Sequence, residues 1–115
     1  MAALLLLSSL ARPQSPRGAQ AEIVFLLAEV ANSSCQFYRN GTWYDATRAA
    51  AHLQEKYGAA ASAARAASAE DFIERVGTRS SLSGVDYAIS CPGAMTVPSA
   101  QWLRAKLAGY RLAHR

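Results

Sequence analysis

The chain reads as a small α+β domain, a three-stranded antiparallel sheet packed with about four helices and closed by one disulfide. Three observations predict this. An Asn40-Gly41 dipeptide stands between two aromatic-rich runs, Cys35 to Arg39 and Thr42 to Tyr44. A cleanly alternating run, Val85 to Cys91, follows much later. The segments around them carry apolar residues at helical spacing.

Asn-Gly between such runs is the strongest short hairpin signal, because a type I′ turn needs positive φ at both central residues. The hairpin is expected over 35–44, pairing Arg39 with Thr42, Tyr38 with Trp43 and Phe37 with Tyr44. Alternation then places Cys35, Phe37 and Tyr44 on one face, and Tyr38 and Trp43 on the other. The strand over 85–91 presents Val85, Tyr87, Ile89 and Cys91 together, and Pro92-Gly93 stops it. Its partner is expected to be the first strand, which would then lie at the centre of the sheet.

The helices follow in order. Glu22 to Ala31 carries Ile23, Leu26, Leu27 and Val30 on one face. Asp45 caps a second helix to about Tyr57, with Ala46, Ala49, Ala50, Leu53 and Tyr57 as its buried stripe and Gly58 at its end. Ala59 to Ala67 is low in complexity and reads as a helix extension or a connector. Ser68 to Asp71 forms a capping box opening a short helix around Phe72, Ile73 and Val76. Pro98 suits the first turn of a last helix through Trp102, Leu103, Leu107 and Tyr110.

Ahead of these elements, Ala2 to Ala11 is an uninterrupted run of apolar and small residues. A bilayer-spanning helix needs about 20 apolar residues, so the run is too short to span. It suits the hydrophobic region of a signal peptide, with Ala19-Gln20-Ala21 as the cleavage pattern. Residues 1–21 are therefore expected to be removed, leaving a single domain over 22–115, periplasmic or secreted, with no transmembrane anchor. Two cysteines in an exported chain are read first as one bridge, Cys35 to Cys91. The alternatives are buried thiols in a reducing compartment or a redox pair, and the spacing is unlike C-x-x-C.

The chain carries 12 Lys and Arg against 8 Asp and Glu, with a pI near 9.4. Two of those basic residues, Arg12 and Arg17, leave with the leader, and the others are scattered singly. Nucleic-acid binding is excluded on that ground. Two histidines far apart, and no further cysteine, supply no metal site, and no cofactor motif is present.

The same segments carry a family resemblance. Phe37-x-Arg39-Asn40-Gly41, Ala51-His52-Leu53 with Lys56, and Glu70-x-Phe72-Ile73 are one part of it. Thr78-Arg79-Ser80-Ser81-x-Ser83-Gly84, Tyr87-x-Ile89 and Pro92-Gly93 complete it. Over residues 22–112 the chain resembles a YfeK-like family of small secreted bacterial proteins of unknown function. The resemblance implies export and a single small domain, and it brings no established activity to carry over.

Three places qualify as candidate sites. His52 is the side chain best suited to act as a base near neutral pH, though an isolated histidine more often packs than catalyses. The loop with Arg79, Ser80, Ser81 and Ser83 offers hydroxyls, backbone N–H groups and one guanidinium to an anion, yet such loops also arise simply to turn the chain. Tyr38 and Trp43, with Arg39 beside the turn, would form a binding surface if their face is uncovered. The reading that results is a non-enzymatic module of the cell envelope binding a protein or a glycan. The alternative is a small hydrolase that pairs His52 with a serine of the 78–84 loop.

Overall fold

The computed structural model describes residues 16–59 and 68–115. Eight elements follow in order: α1 (Pro16–Asn32), β1 (Gln36–Arg39), β2 (Thr42–Asp45), α2 (Ala46–Ala59), α3 (Ala69–Arg75), β3 (Ala88–Ser90), β4 (Val97–Pro98) and α4 (Ser99–Ala113). The sheet is antiparallel in the order β2-β1-β3-β4, so the first strand is central as its sequence predicts. The Ala59–Ala67 stretch lies outside the described residues from position 60 onward.

The hairpin forms in the expected register, Phe37 opposite Tyr44 and Tyr38 opposite Trp43. Asn40 (φ 50°) and Gly41 (φ 87°) supply the two positive dihedrals that the turn demands. Cys35 lies one residue before β1, and its sulfur is bonded to that of Cys91, just after β3. The two Cα atoms are 4.1 Å apart, a separation that antiparallel pairing of β1 with β3 imposes on residues flanking the same end of the ladder.

Four details correct the sequence reading. The sheet has four strands rather than three, because Val97–Pro98 pairs with Ala88 and Ile89. Pro98 therefore ends an edge strand, where its missing N–H costs no ladder bond, and acts as the N-cap of α4 rather than its first turn. The third strand covers Ala88–Ser90 rather than 85–91. Upstream, the chain turns back on itself: Ser80 N–H donates to the Val85 carbonyl and Tyr87 N–H to that of Thr78, both at 2.9 Å. Val85 is consequently 47% exposed instead of sharing the inner face with Tyr87 and Ile89. Finally, α1 begins at Pro16, six residues before Glu22, with proline at the first helical position where its lack of a donor is harmless.

The helices pack on the face of the sheet that carries Phe37 and Ile89. Ile23, Leu26 and Val30 of α1, Leu53 of α2, Phe72 and Ile73 of α3, and Leu103 of α4 form the dry centre. Phe37 meets Trp102 edge to face, with ring centroids 6.2 Å apart. At the end of α3, Gly77 allows close approach to α4, since a Cβ there would lie 2.6 Å from Leu103 Cδ1. Ser68 caps α3 as expected, its Oγ accepting from Asp71 N–H at 3.1 Å. Asp45 Oδ1 accepts from Arg48 N–H at 2.8 Å and opens α2.

Candidate functional site

Side chains alternate along β1, so Arg39 points to the same helix-covered face as Phe37. Tyr44 faces Phe37 across the hairpin, and Tyr87 precedes Ile89 by two residues on that same face. Opposite them, α2 presents Arg48, His52 and Lys56, spaced by four and so aligned on one flank of the helix. A cleft of about 320 Å³ opens between these two sets. Phe37, Leu53 and Leu103 lie at its base, and Arg39, Tyr44 and His52 stand at its mouth.

The polar groups form a connected chain. Arg39 Nη1 is 3.1 Å from His52 Nδ1 and 3.3 Å from Nε2. His52 Nε2 is 3.2 Å from the Tyr87 hydroxyl. Lys56 Nζ donates to that hydroxyl at 3.2 Å and to the Arg79 carbonyl at 2.8 Å. A guanidinium only donates, so the ring nitrogen nearer to it, Nδ1, is assigned as the bare one. Nε2 then carries the proton and donates to Tyr87, whose oxygen accepts from both His52 and Lys56. The phenolic proton of Tyr87 is thereby left for a further acceptor.

Electrostatics follow from the same crowding. Burial, then the charges of Arg39 and Lys56, push the His52 pKa below its usual value, while Glu55 opposes them. Burial and the neighbouring Arg79 and Arg39 likewise lower Lys56. Burial raises Tyr87, which keeps its phenol protonated. Two guanidinium groups flank the Tyr44 ring, Arg39 at 4.9 Å and Arg48 at 5.5 Å from its centroid, and the bond from Arg39 draws the Tyr44 pKa down. Among the described residues, no ion pair joins Arg39 or Arg48 to a carboxylate. Glu55 is the one acid lining the cleft.

The residues singled out from sequence are thus divided. Arg39 and His52 come together. Tyr38 and Trp43 stack edge to face at 5.4 Å on the other side of the hairpin, where Trp43 is 44% exposed. Arg79 turns its guanidinium outward to Glu74 at 3.1 Å and Asp86 at 3.8 Å. Ser80 is buried, and its Oγ accepts from Asn40 Nδ2 and from the N–H groups of Leu82 and Ser83, each at 3.2 Å. Ser83 Oγ donates to Asn40 Oδ1 at 2.6 Å. Ser81 is exposed at the loop surface. The loop hydroxyls therefore tie the loop to the hairpin tip, while the loop's Arg79 carbonyl anchors Lys56.

Sequence reasoning missed Arg48, Lys56, Tyr44 and Tyr87 as members of one site. The four-residue spacing of Arg48, His52 and Lys56 on an expected helix was the available signal. No group of three His, Cys, Asp or Glu able to hold a metal occurs among the described residues. No described helix is long and apolar enough to cross a membrane.

No curated protein and no solved structure matches the chain. A model of a family of unknown function, DUF5329, matches residues 17–111, a span that takes in the disulfide, the four strands and every residue of the cleft. The chain belongs to the DUF5329 family of unknown function.

Proposed function

We propose that this protein is an exported, non-enzymatic binding module of the cell envelope whose cleft takes a negatively charged group of its partner. One observation carries the reading: the half-buried Arg39 guanidinium bonds neutral partners, with Arg48 beside it and, among the described residues, no carboxylate in ion-pair contact with either. Partial burial of a charge is costly unless a counter-charge compensates it. An arriving carboxylate or phosphate supplies that charge and relieves the mutual repulsion of Arg39 and Lys56. Tyr87 offers it a neutral donor, and a planar guanidinium binds such oxyanions in a two-pronged fashion.

Export rests on the apolar Ala2–Ala11 run, on the Cys35–Cys91 bridge and on the likeness to YfeK-like secreted proteins. By this reading residues 1–21 form the signal peptide and 22–115 the mature domain. Cleavage after Ala21 removes Ala19 from the core and leaves Ile23, Leu26, Leu27 and Val30 in place. A binding role, rather than hydrolysis, is supported by the partners of His52, which are Arg39 and Tyr87. The hydroxyls of Ser80 and Ser83 are directed at Asn40 instead. The partner is an envelope protein or glycan that carries the anionic group.

The test is a 1H–15N NMR titration of the oxidised protein with phosphate, acetate and an acidic muropeptide. Saturable shifts centred on Arg39, His52 and Tyr87, lost in Arg39→Gln and retained in Trp43→Ala, are expected. Shifts that vanish only with Trp43→Ala would move the site to the outer hairpin face. No localised shifts with any anion would refute the anion reading.

A further inference from the structure

The cationic mouth of the cleft is half of its chemistry, and the base is the other half. Phe37, Leu53 and Leu103 are each less than a tenth exposed, and all three line the cleft. An inorganic anion or a bare sugar acid gains nothing from such a surface, whereas burying an apolar body there yields roughly 25 cal/mol per Å². The volume of about 320 Å³ holds roughly ten or eleven non-hydrogen atoms at about 30 Å³ each. That is too little for a polymer and enough for one small molecule.

A second feature lies deeper. Ser99, at the start of α4, lines the cleft and is 4% exposed. Its Oγ is the one buried side-chain oxygen among the described residues that lacks a hydrogen-bond partner. Its backbone N–H is already engaged with the Tyr87 carbonyl at 3.0 Å, so the hydroxyl alone is left to act. A buried polar group without a partner costs free energy that a bound molecule supplying a hydrogen bond recovers.

Resting on the anion reading above, we infer that the cleft binds a small amphiphilic carboxylic acid, its carboxylate at Arg39 and the Tyr87 hydroxyl, its apolar body against Phe37, Leu53 and Leu103, and a second polar atom beside Ser99. Medium-chain fatty acids and their hydroxy forms combine these groups in a molecule of about that size. The facing charges define the polarity of entry: Arg39 and Arg48 at the mouth draw the carboxylate, and Glu55 is the one acid among the described lining residues.

Isothermal titration of the oxidised protein with octanoate, 8-hydroxyoctanoate, acetate, phosphate and 1-octanol tests the assignment. Octanoate is expected to bind at one site at least tenfold more tightly than acetate, phosphate or 1-octanol, and Arg39→Gln to weaken it at least tenfold. 8-Hydroxyoctanoate is expected to bind more tightly than octanoate, with the margin lost in Ser99→Ala. That variant removes an unsatisfied hydroxyl and so keeps the fold. His52→Gln, which retains a polar group on α2, repeats the mouth test should Arg39→Gln fail to fold. Acetate or phosphate binding as tightly as octanoate would overturn the amphiphile assignment and leave the anion reading standing. 1-Octanol matching octanoate would overturn both. Absence of octanoate binding alongside localised NMR shifts with phosphate would overturn this inference alone.

Discussion

His52 sits beside the charges of Arg39 and Lys56 and the phenol of Tyr87, and its proton responds to all three. Its pKa is lowered in the folded protein, first by burial and then by Arg39 and Lys56. The unfolded chain, with a histidine pKa near 6.5, therefore takes up a proton before the folded one does. Stability is complete above about pH 6.5 and falls as the pH drops from there through the folded value. Urea unfolding followed from pH 7.5 to pH 5 should show this slope, and His52→Gln should flatten it. An unchanged slope in the variant would mean that His52 is not the group responsible. A bound anion opposes the shift, so anion affinity should rise over the same interval. At this level the sequence was partly legible: Arg48, His52 and Lys56 stand four residues apart, but Arg39 and Tyr87 join them only because β1 and β3 are neighbours.

The helices are held to one another by a junction that no local pattern announces. Arg111 of α4 reaches Glu22 of α1 through Nε and Nη2, both at 2.8 Å, and Glu70 of α3 through Nη1 at 2.6 Å. Glu22 is 8% exposed, and this guanidinium binds both of its carboxylate oxygens. Arg111→Ala should cost about 2 kcal/mol at neutral pH, chiefly by removing the paired, charge-assisted bonds that the guanidinium gives to a buried carboxylate. Arg111→Lys should recover part of that, because a lysine restores the charge but not the paired fork. Chemical denaturation of the three proteins decides it, and a loss below about 0.5 kcal/mol for Arg111→Ala would show the junction to be no stronger than an ordinary surface pair. Hydrogen bonding to Arg111 lowers the Glu70 pKa, so the contribution of Glu70 is present above about pH 4.5 and lost as the pH falls through its folded value. That window lies below the one governed by His52, and the two are separable in one titration. The caps Ser68 and Asp45 were readable because a capping side chain bonds within its own segment. The early start of α1 was not read, although Pro16 at its first position is a start signal, because the apolar pattern begins only at Ile23.

A single covalent link joins the hairpin half of the protein to its last third. Cys35 and Cys91 close a loop of 56 positions, which in the chain-entropy account stabilises the fold by about 4 kcal/mol. The paired change Cys35→Ser with Cys91→Ser should lower the unfolding free energy by that order, and a loss under about 1 kcal/mol would mean that the loop is already constrained in the unfolded chain. The bridge, the hairpin register and the central place of β1 were all implied by short-range signals: Asn40-Gly41 specifies its turn, alternation specifies faces, and two cysteines at strand ends specify which strands must meet. The fourth strand and the shortened third were not implied. Val97–Pro98 is too short to show a period, and Val85 alternates correctly but leaves the sheet because Thr78 and Ser80 bind its neighbourhood back. The sequence alone determined the hairpin pairing, the helices with capping signals and the bridge, since each depends on residues close in the chain or on the only available partner. Only the tertiary structure decided that Arg39, His52 and Tyr87 share one cleft with an apolar base and that Trp43 does not, because that grouping depends on which face α2 covers, and packing of the sheet against the helices sets that.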